Sequence, residues 1–153
     1  MASKGIRAGG MTSREIRRDG VRVGFLLRDL MTQEQGILAH AGQADGPRVG
    51  RYRVNLSDIE RVGAASIRRA IEGADVIIID ELGPMELHSM PFVSAVKSAL
   101  ASPKPLVATI HKRASHPLLT EIRSDPTRKI IEVTEGNREE LPITICRMLK
   151  LCE

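Results

Sequence analysis

Two adjacent carboxylates follow the most apolar short run of the sequence. The run Val76–Ile79 leads directly into Asp80 and Glu81. A run this rich in β-branched residues is typical of a strand buried on both faces of a parallel sheet, and ligands of such sheets bind beyond the carboxyl ends of the strands. There Asp80 could hold Mg²⁺ or its water shell, while Glu81 orients and deprotonates an attacking water. Acids are also common wherever a buried strand reaches solvent, so the pattern alone leaves both interpretations open.

Three donors follow a second apolar run in the same way. His111, Lys112 and Arg113 come directly after residues 105–110. Cationic groups across a cleft from two carboxylates suit an Mg²⁺-bound polyphosphate, because they neutralise charge on the transferred phosphoryl group. The alternative is a solvated basic turn before the next helix. The two strand ends together favour a site for phosphate chemistry.

A third segment has the outline of a phosphate-binding loop. GIRAGGMTS, residues 5–13, fits G-x-x-x-x-G-K-[ST] except that Met11 stands in the lysine position. Such a loop needs a buried strand before it and a helix after it. Here only residues 1–4 precede it, and the hairpin-type pair Asp19-Gly20 follows. A thioether cannot replace an ammonium beside a triphosphate, so we interpret the match as a coincidence.

The bulk composition indicates one ordinary globular domain, residues 1–153. Of these residues 42% are hydrophobic and 27% are charged. The net charge of +4 would suit an anionic ligand such as a nucleotide, but the aromatic content of 2% argues against nucleic acid, since bases stack on aromatic rings. Cys146 and Cys152 lack metal-ligand spacing and are expected to be reduced thiols. With no apolar leader or membrane span in the sequence, we expect a cytoplasmic protein.

The elements that must position these groups change type along the chain. The first third predicts a hairpin around Asp19-Gly20 and two short extended runs. A helix should then begin with Ser57 or Asp58 as its N-cap and end near Gly73. Strands then alternate with helices, which predicts a parallel α/β sheet with right-handed crossovers. The predicted strands are residues 76–81, 105–110 and 129–133, and the predicted helices are residues 91–102, 116–124 and 137–153.

Five segments, in their order and spacing, resemble the thermophilic nucleoside-triphosphatase family. These are small P-loop proteins related to nucleotide kinases and RecA-type ATPases. The resemblance implies an α/β, P-loop NTPase-like three-layer sandwich with a mostly parallel sheet and an antiparallel N-terminal hairpin. It also implies Mg²⁺-dependent hydrolysis of ATP, GTP and other nucleoside triphosphates to the diphosphate and phosphate. The segments are residues 9–40, 46–63, 74–87, 104–113 and 130–142.

The resemblance also implies roles for particular residues. Asp80 would hold Mg²⁺, and Glu81 would act on the catalytic water. The segment His111–Arg113 would lie near the phosphates. Asn137 and Arg138 resemble a late loop of the family that lies near the base.

The opening of the family pattern has no counterpart in this sequence. Family members begin with a strand, a G-x-x-G-x-G-K-[ST] loop and a helix, and these roughly 25 residues are missing here. The true loop would then lie before Met1 or not exist, with residues 1–4 as the end of the lost helix. We expect the missing strand to lie beside residues 76–80, so that its loss uncovers the sheet. The chain alone should then be destabilised, close the gap or find a partner strand by self-association. We also expect very weak hydrolysis, because the backbone cradle for the phosphates is lost.

Two other functional classes stay open. A non-catalytic relative could keep the nucleotide fold as a binding or interaction module. A nucleic-acid-binding domain is suggested only by the charge of +4.

Overall fold

Seven strands form one mixed sheet in the computed structural model, which describes residues 5–152. The order across the sheet is β4-β5-β3-β2-β1-β6-β7. The strands are β1 (Ala8–Arg18), β2 (Val21–Asp29), β3 (Gln35–His40), β4 (Arg48–Val49), β5 (Tyr52–Val54), β6 (Val76–Leu82) and β7 (Leu106–Ile110).

The helices lie mainly in the second half of the chain. One continuous helical segment begins as α1 (Leu56–Asp58), passes through a π-helical stretch (Ile59–Ala64) and ends as α2 (Ala65–Gly73). The remaining helices are a 3₁₀ turn (Glu86–His88), α3 (Met90–Ala101), α4 (Pro117–Ser124) and α5 (Leu141–Met148). Within residues 5–152, none of these helices is long and apolar enough to cross a membrane.

The predicted hairpin is confirmed. β1 and β2 pair antiparallel, and Arg18 lies opposite Val21. Asp19 and Gly20 both have positive φ, at 53° and 76°. Two such residues form the primed turn whose twist matches that of the flanking strands.

The strands that carry the candidate site are parallel neighbours. β6 pairs in parallel with β1 on one side and with β7 on the other. The other four pairings are antiparallel, so the antiparallel share of the sheet is larger than we expected. β6 therefore has a strand on each side, and no gap lies next to residues 76–80 in the described part of the chain. Among the described residues, β4 and β7 are the two edge strands, so each has a neighbour on one side only.

The predicted strand at residues 129–133 is also wrong. These residues have no regular secondary structure, and the side chains of Ile130 and Val133 are 54% and 60% exposed. A strand needs a hydrogen-bonded neighbour, and although one side of β7 is open, this segment does not pair with it. The apolar pattern is present in this segment, but within residues 5–152 no strand pairs with it.

The first helix begins at a different residue from the ones predicted. Its N-cap is Asn55, whose side-chain oxygen accepts the Asp58 N–H at 2.9 Å. The Asp58 carboxylate instead accepts the N–H of Ile37 in β3 at 2.7 Å, which ties the helix to the sheet. The predicted end at Gly73 is confirmed.

Two of the three glycines of the loop-like segment, Gly9 and Gly10, have packing roles. They lie in β1, so the interpretation of GIRAGGMTS as a coincidental match is confirmed. A β-carbon on Gly10, which has a φ of 113°, would lie 1.9 Å from the carbonyl oxygen of Ile78 in β6. A β-carbon on Gly9 would lie 2.8 Å from that of Ala70 in α2. Glycine is required here because a strand and a helix approach β1 closely.

One aliphatic core holds the helices against the sheet. α2 packs on β1 and β6, and α3 packs on α2 and the π-helical stretch. α4 adds buried side chains to the same core. The prediction that residues 1–4 end a lost helix lies outside the described residues. The largest fully buried side chains are Phe92, Met11, Leu27, Ile59, Ile67, Ile77, Ile79, Leu82, Leu118, Leu119, Val54 and Val62.

Candidate active site

The two predicted carboxylates lie near the carboxyl end of β6. The strand runs to Leu82, so Asp80 and Glu81 are its antepenultimate and penultimate residues. The hydroxyl of Thr109 in β7 donates to Asp80 Oδ1 at 2.7 Å. Two residues further along each segment, the His111 N–H donates to the Leu82 carbonyl at 3.2 Å. The ends of β6 and β7 are thus joined by one side-chain and one backbone bond.

Glu81 lies in a partly buried position beside charged neighbours. Burial raises the pKa of its carboxyl above the ordinary value. The charge of His111 acts in the opposite direction, and that of Asp80 adds to the rise. A carboxylate with a raised pKa is a stronger base, which suits proton abstraction from water near neutral pH.

The predicted donors follow β7 in a loop fixed by α4. The guanidinium of Arg123 donates to the carbonyls of His111 at 3.1 Å and Lys112 at 3.3 Å. His111 Nδ1 accepts the Arg113 N–H at 3.3 Å. Lys112 Nζ pairs with Glu132 Oε1 at 2.6 Å, and both side chains are mostly exposed. The charge of His111 therefore acts on Glu81, and Lys112 lies in an exposed ion pair with Glu132.

Asn137 and Arg138 lie in a turn that follows the irregular segment. Asn137 Oδ1 accepts the Thr134 N–H, and its amide donates to the Glu132 carbonyl, both at 2.8 Å. Within the part of the chain that the structure describes, this turn is linked to the site through the Glu132–Lys112 pair. The side chain of Asn137 is thus used to close its own turn.

Three supporting residues were missed by sequence reasoning. Thr109 holds Asp80, Arg123 holds the loop after β7, and Glu86 lies behind Glu81. The available signal for Glu86 was its place between Met85 and Leu87, where a lone acid interrupts an apolar run. Thr109 and Arg123 gave no comparable signal.

Glu86 is the most buried acid of the site. Its residue is 2% exposed, and its Oε2 accepts the Gly83 N–H at 3.1 Å. Burial raises the pKa of this carboxyl to about 7, and the nearby charges of Glu81 and Asp80 add to the rise. Its own amide and that of Gly83 act in the opposite direction.

The acids fit a magnesium ion that is held partly by substrate. No group of three or more His, Cys, Asp or Glu residues within residues 5–152 could hold a metal by itself. Mg²⁺ usually takes one or two carboxylates and completes its shell with water and substrate phosphates. Asp80 offers hard oxygen ligands at a partly exposed position, and the Thr109 hydroxyl orients it.

A cavity of about 190 Å³ lies between the loop after β6 and the loop after β7. Ligand pockets for whole small molecules usually hold more, roughly 300–1,000 Å³, so this cavity would take only part of a nucleotide. Its lining residues are Pro84, Leu87, His88, Ala114, Ser115 and His116.

Parallel strands with paired acids and basic donors at their carboxyl ends define an α/β nucleotide hydrolase-like architecture. Comparison with known proteins agrees with this class. A model of the NTPase family matches residues 1–146. Nucleoside-triphosphatase THEP1 of Methanosarcina acetivorans is 47% identical over 138 residues, which are 90% of this chain and 77% of that protein. THEP1 of Thermofilum pendens is 46% identical over 148 residues, 96% of this chain and 81% of that protein. The chain belongs to the NTPase family.

Two solved structures share the fold, which is therefore P-loop NTPase-like. The crystal structure of THEP1 from the hyperthermophile Aquifex aeolicus has a TM-score of 0.84 and 34% identity, covering 94% of this chain and 84% of that one. The solution structure of a human cancer-related nucleoside triphosphatase has a TM-score of 0.81 and 31% identity, covering 99% of this chain and 86% of that one.

Proposed function

We propose that this protein hydrolyses nucleoside triphosphates, including ATP and GTP, to the diphosphate and phosphate at the carboxyl ends of β6 and β7. The observation that carries the proposal is the arrangement of Asp80 and Glu81. Both lie at the end of β6, where Thr109 of the neighbouring strand bonds one and His111 faces the other. Family membership supports the same reaction, because the relatives are named nucleoside-triphosphatases.

Glu81 acts as the general base in this proposal. Its carboxylate orients a water molecule and accepts the proton as the water attacks the terminal phosphate. Partial burial raises its pKa, which strengthens it as a base. Asp80, oriented by Thr109, would hold Mg²⁺. The ion supplies charge neutralisation on the phosphate oxygens when it is bound.

The basic residues after β7 bind the phosphates in this proposal. The charge of His111 acts on Glu81. Arg113 follows two residues later in the same loop and is exposed. Lys112 exchanges Glu132 for a phosphate oxygen as substrate arrives, since both members of that pair are exposed. Asn137 and Arg138 lie near the base in the same proposal, in the turn that follows Glu132.

We further propose that the 153 residues by themselves turn over slowly. The sequence contains no Gly-Lys-Ser or Gly-Lys-Thr, the element that surrounds the β- and γ-phosphates with N–H groups and a lysine. The THEP1 proteins of Methanosarcina and Thermofilum are longer than the regions that match, which are 77% and 81% of their lengths.

The test is phosphate release from Mg-ATP and Mg-GTP. We expect slow release by the 153-residue chain, faster release when a strand–GK[ST]–helix segment is added at its N-terminus, and near-complete loss in both forms with Glu81→Gln. Glu72→Gln, an exposed acid of α2, is the matched control and should change nothing.

Two results would contradict the proposal. If the extended protein with Glu81→Gln is as fast as its parent, Glu81 is not the base. If neither form releases phosphate while calorimetry shows nucleotide binding, the non-catalytic module is the correct function.

A further inference from the structure

The carboxyl group of Glu86 is closed off from solvent beside the proposed base. Glu86 begins the 3₁₀ turn that follows Gly83 and Pro84, and 2% of the residue is exposed. Its Oε2 accepts the Gly83 N–H at 3.1 Å. Among the ion pairs of the described residues, none involves Glu86. A buried acid without a cation is costly, so a purely structural role would be filled better by an amide or an apolar side chain.

Both glutamate carboxyl groups lie beside Gly83. A β-carbon at this position would lie 2.9 Å from Glu86 Oε2 and 3.0 Å from Glu81 Oε1. The two carboxyl groups therefore border the space next to the Gly83 α-carbon. Any displacement of this residue changes the space available to Glu81.

The same turn is anchored to the core from the other side. The Leu87 N–H donates to the Gly83 carbonyl at 3.1 Å, and the Ser89 N–H donates to the Glu86 carbonyl at 3.0 Å. The Ser89 hydroxyl oxygen then caps α3 by accepting the Phe92 N–H at 3.2 Å. Glu86 thus joins Gly83 to a helix whose first turn holds the fully buried Phe92.

We propose that Glu86 is a positioning residue for hydrolysis: by holding the Gly83 N–H it fixes the backbone against which the Glu81 carboxylate rests. The inference depends on the proposed function, since Glu81 must be the base. Glu86 itself touches neither substrate nor the attacking water. Its contribution is to keep Glu81 in a single arrangement, because small displacements of a reacting group lower the rate strongly.

Because Glu86 is buried, its positioning role should be visible in the pH dependence of kcat. With a pKa raised to about 7 by burial, Glu86 is neutral below that pH and charged above it. The titratable groups that face it are Glu81 and Asp80, and His111 faces Glu81. When Glu86 ionises it adds a third negative charge beside Glu81, Asp80 and the incoming triphosphate. Glu86→Gln keeps an oxygen acceptor for Gly83 and stays neutral, whereas Glu86→Met removes the acceptor.

The experiment measures kcat and KM for Mg-ATP from pH 5.5 to 9, with Glu81→Gln as reference and Glu72→Gln as control. Glu86→Met should lower kcat by about 10-fold or more with KM nearly unchanged. Glu86→Gln should restore most of kcat at pH 6. The ratio of wild-type kcat to that of Glu86→Gln should fall as the pH passes about 7.

A second measurement covers the case in which Glu86→Met does not fold. The Gly83 amide resonance should show a titration step at about pH 7 in the wild type, and that step should be absent in Glu86→Gln. Wild-type kcat in Glu86→Met, equal losses in Met and Gln variants, or a Gly83 resonance that does not titrate would each overturn the inference. If Glu81→Gln stays active, the proposed function fails as well. If Glu81→Gln is inactive while the Glu86 variants match the wild type, the positioning role alone fails.

Discussion

Replacing Glu86 with glutamine should make the stability of the protein less dependent on pH. The carboxyl has a pKa of about 7 in the folded protein, against an ordinary value of 4.5 that it regains on unfolding. Between these values the unfolded chain has released the proton and the folded chain still holds it. The folded state binds more protons in this window, so the free energy of unfolding falls as the pH rises.

The magnitude follows from the size of the shift. Each pKa unit corresponds to about 1.4 kcal/mol, so the separation between 4.5 and about 7 is worth about 3 kcal/mol across the whole window. No discount for solvent screening applies, because Glu86 is almost fully buried. The penalty is absent well below pH 4.5 and complete above about pH 7. Glutamine cannot ionise, so it avoids the penalty at every pH.

Urea denaturation of both proteins at pH 5 and pH 8 checks this reasoning. The stability of Glu86→Gln relative to the wild type should rise by roughly 2–3 kcal/mol from the lower to the higher pH. Glu81 also has a raised pKa, but it is present in both proteins and its contribution cancels. Glu72→Gln should track the wild type at both pH values. A difference between wild type and Glu86→Gln that is the same at pH 5 and pH 8 would refute the raised pKa of Glu86.

Three further outcomes follow from the structure. Thr109→Val removes the hydroxyl that donates to Asp80, so we expect roughly 10-fold weaker activation by Mg²⁺ with little loss of stability, measured by magnesium titration of phosphate release. Gly10→Ala places a methyl group against a backbone carbonyl at a positive φ and should cost about 3 kcal/mol or more of unfolding free energy in urea. The open side of β7 predicts concentration-dependent self-association in light scattering. Val107→Lys should reduce it and Val21→Lys, at the exposed hairpin end, should not; an equal effect of both would exclude β7 as the contact.

Local signals were sufficient for most elements of the fold. Asp19-Gly20 identifies the hairpin because few residues other than glycine and asparagine or aspartate adopt positive φ at two successive positions. β6 and β7 were predicted because continuous β-branched runs suit strands that are covered on both faces. The predicted strand at residues 129–133 was wrong because a local pattern was not sufficient there. Its pattern is also apolar, but a strand forms only where a neighbouring strand pairs with it, and a sequence pattern does not reveal whether that pairing occurs.

The N-cap of α1 is a second feature that the sequence pattern alone could not identify. Asn55, Ser57 and Asp58 can all cap a helix, and they lie within four residues of one another. Asn55 is the cap because Asp58 is needed elsewhere: its carboxylate accepts the Ile37 N–H of β3. The choice is settled by a contact between residues 21 positions apart, which propensity does not encode.

The candidate site, too, could be predicted only in part from the sequence. Asp80, Glu81 and His111 could be named from the sequence because each occupies the end of a strand, and parallel strands bring their ends together. The groups that hold them come from elsewhere in the chain. Thr109 donates to Asp80, which is 29 residues away in the sequence, and Arg123 donates to His111, which is 12 residues away. Glu86 is close to Glu81 in sequence, but its effect depends on burial beneath the Gly83 turn, which only the packed structure provides. The groups proposed to react could therefore be predicted from local pattern, whereas their basicity and orientation depend on the tertiary fold. Variants of Thr109 and Glu86 test these tertiary contributions separately from the proposed reacting groups.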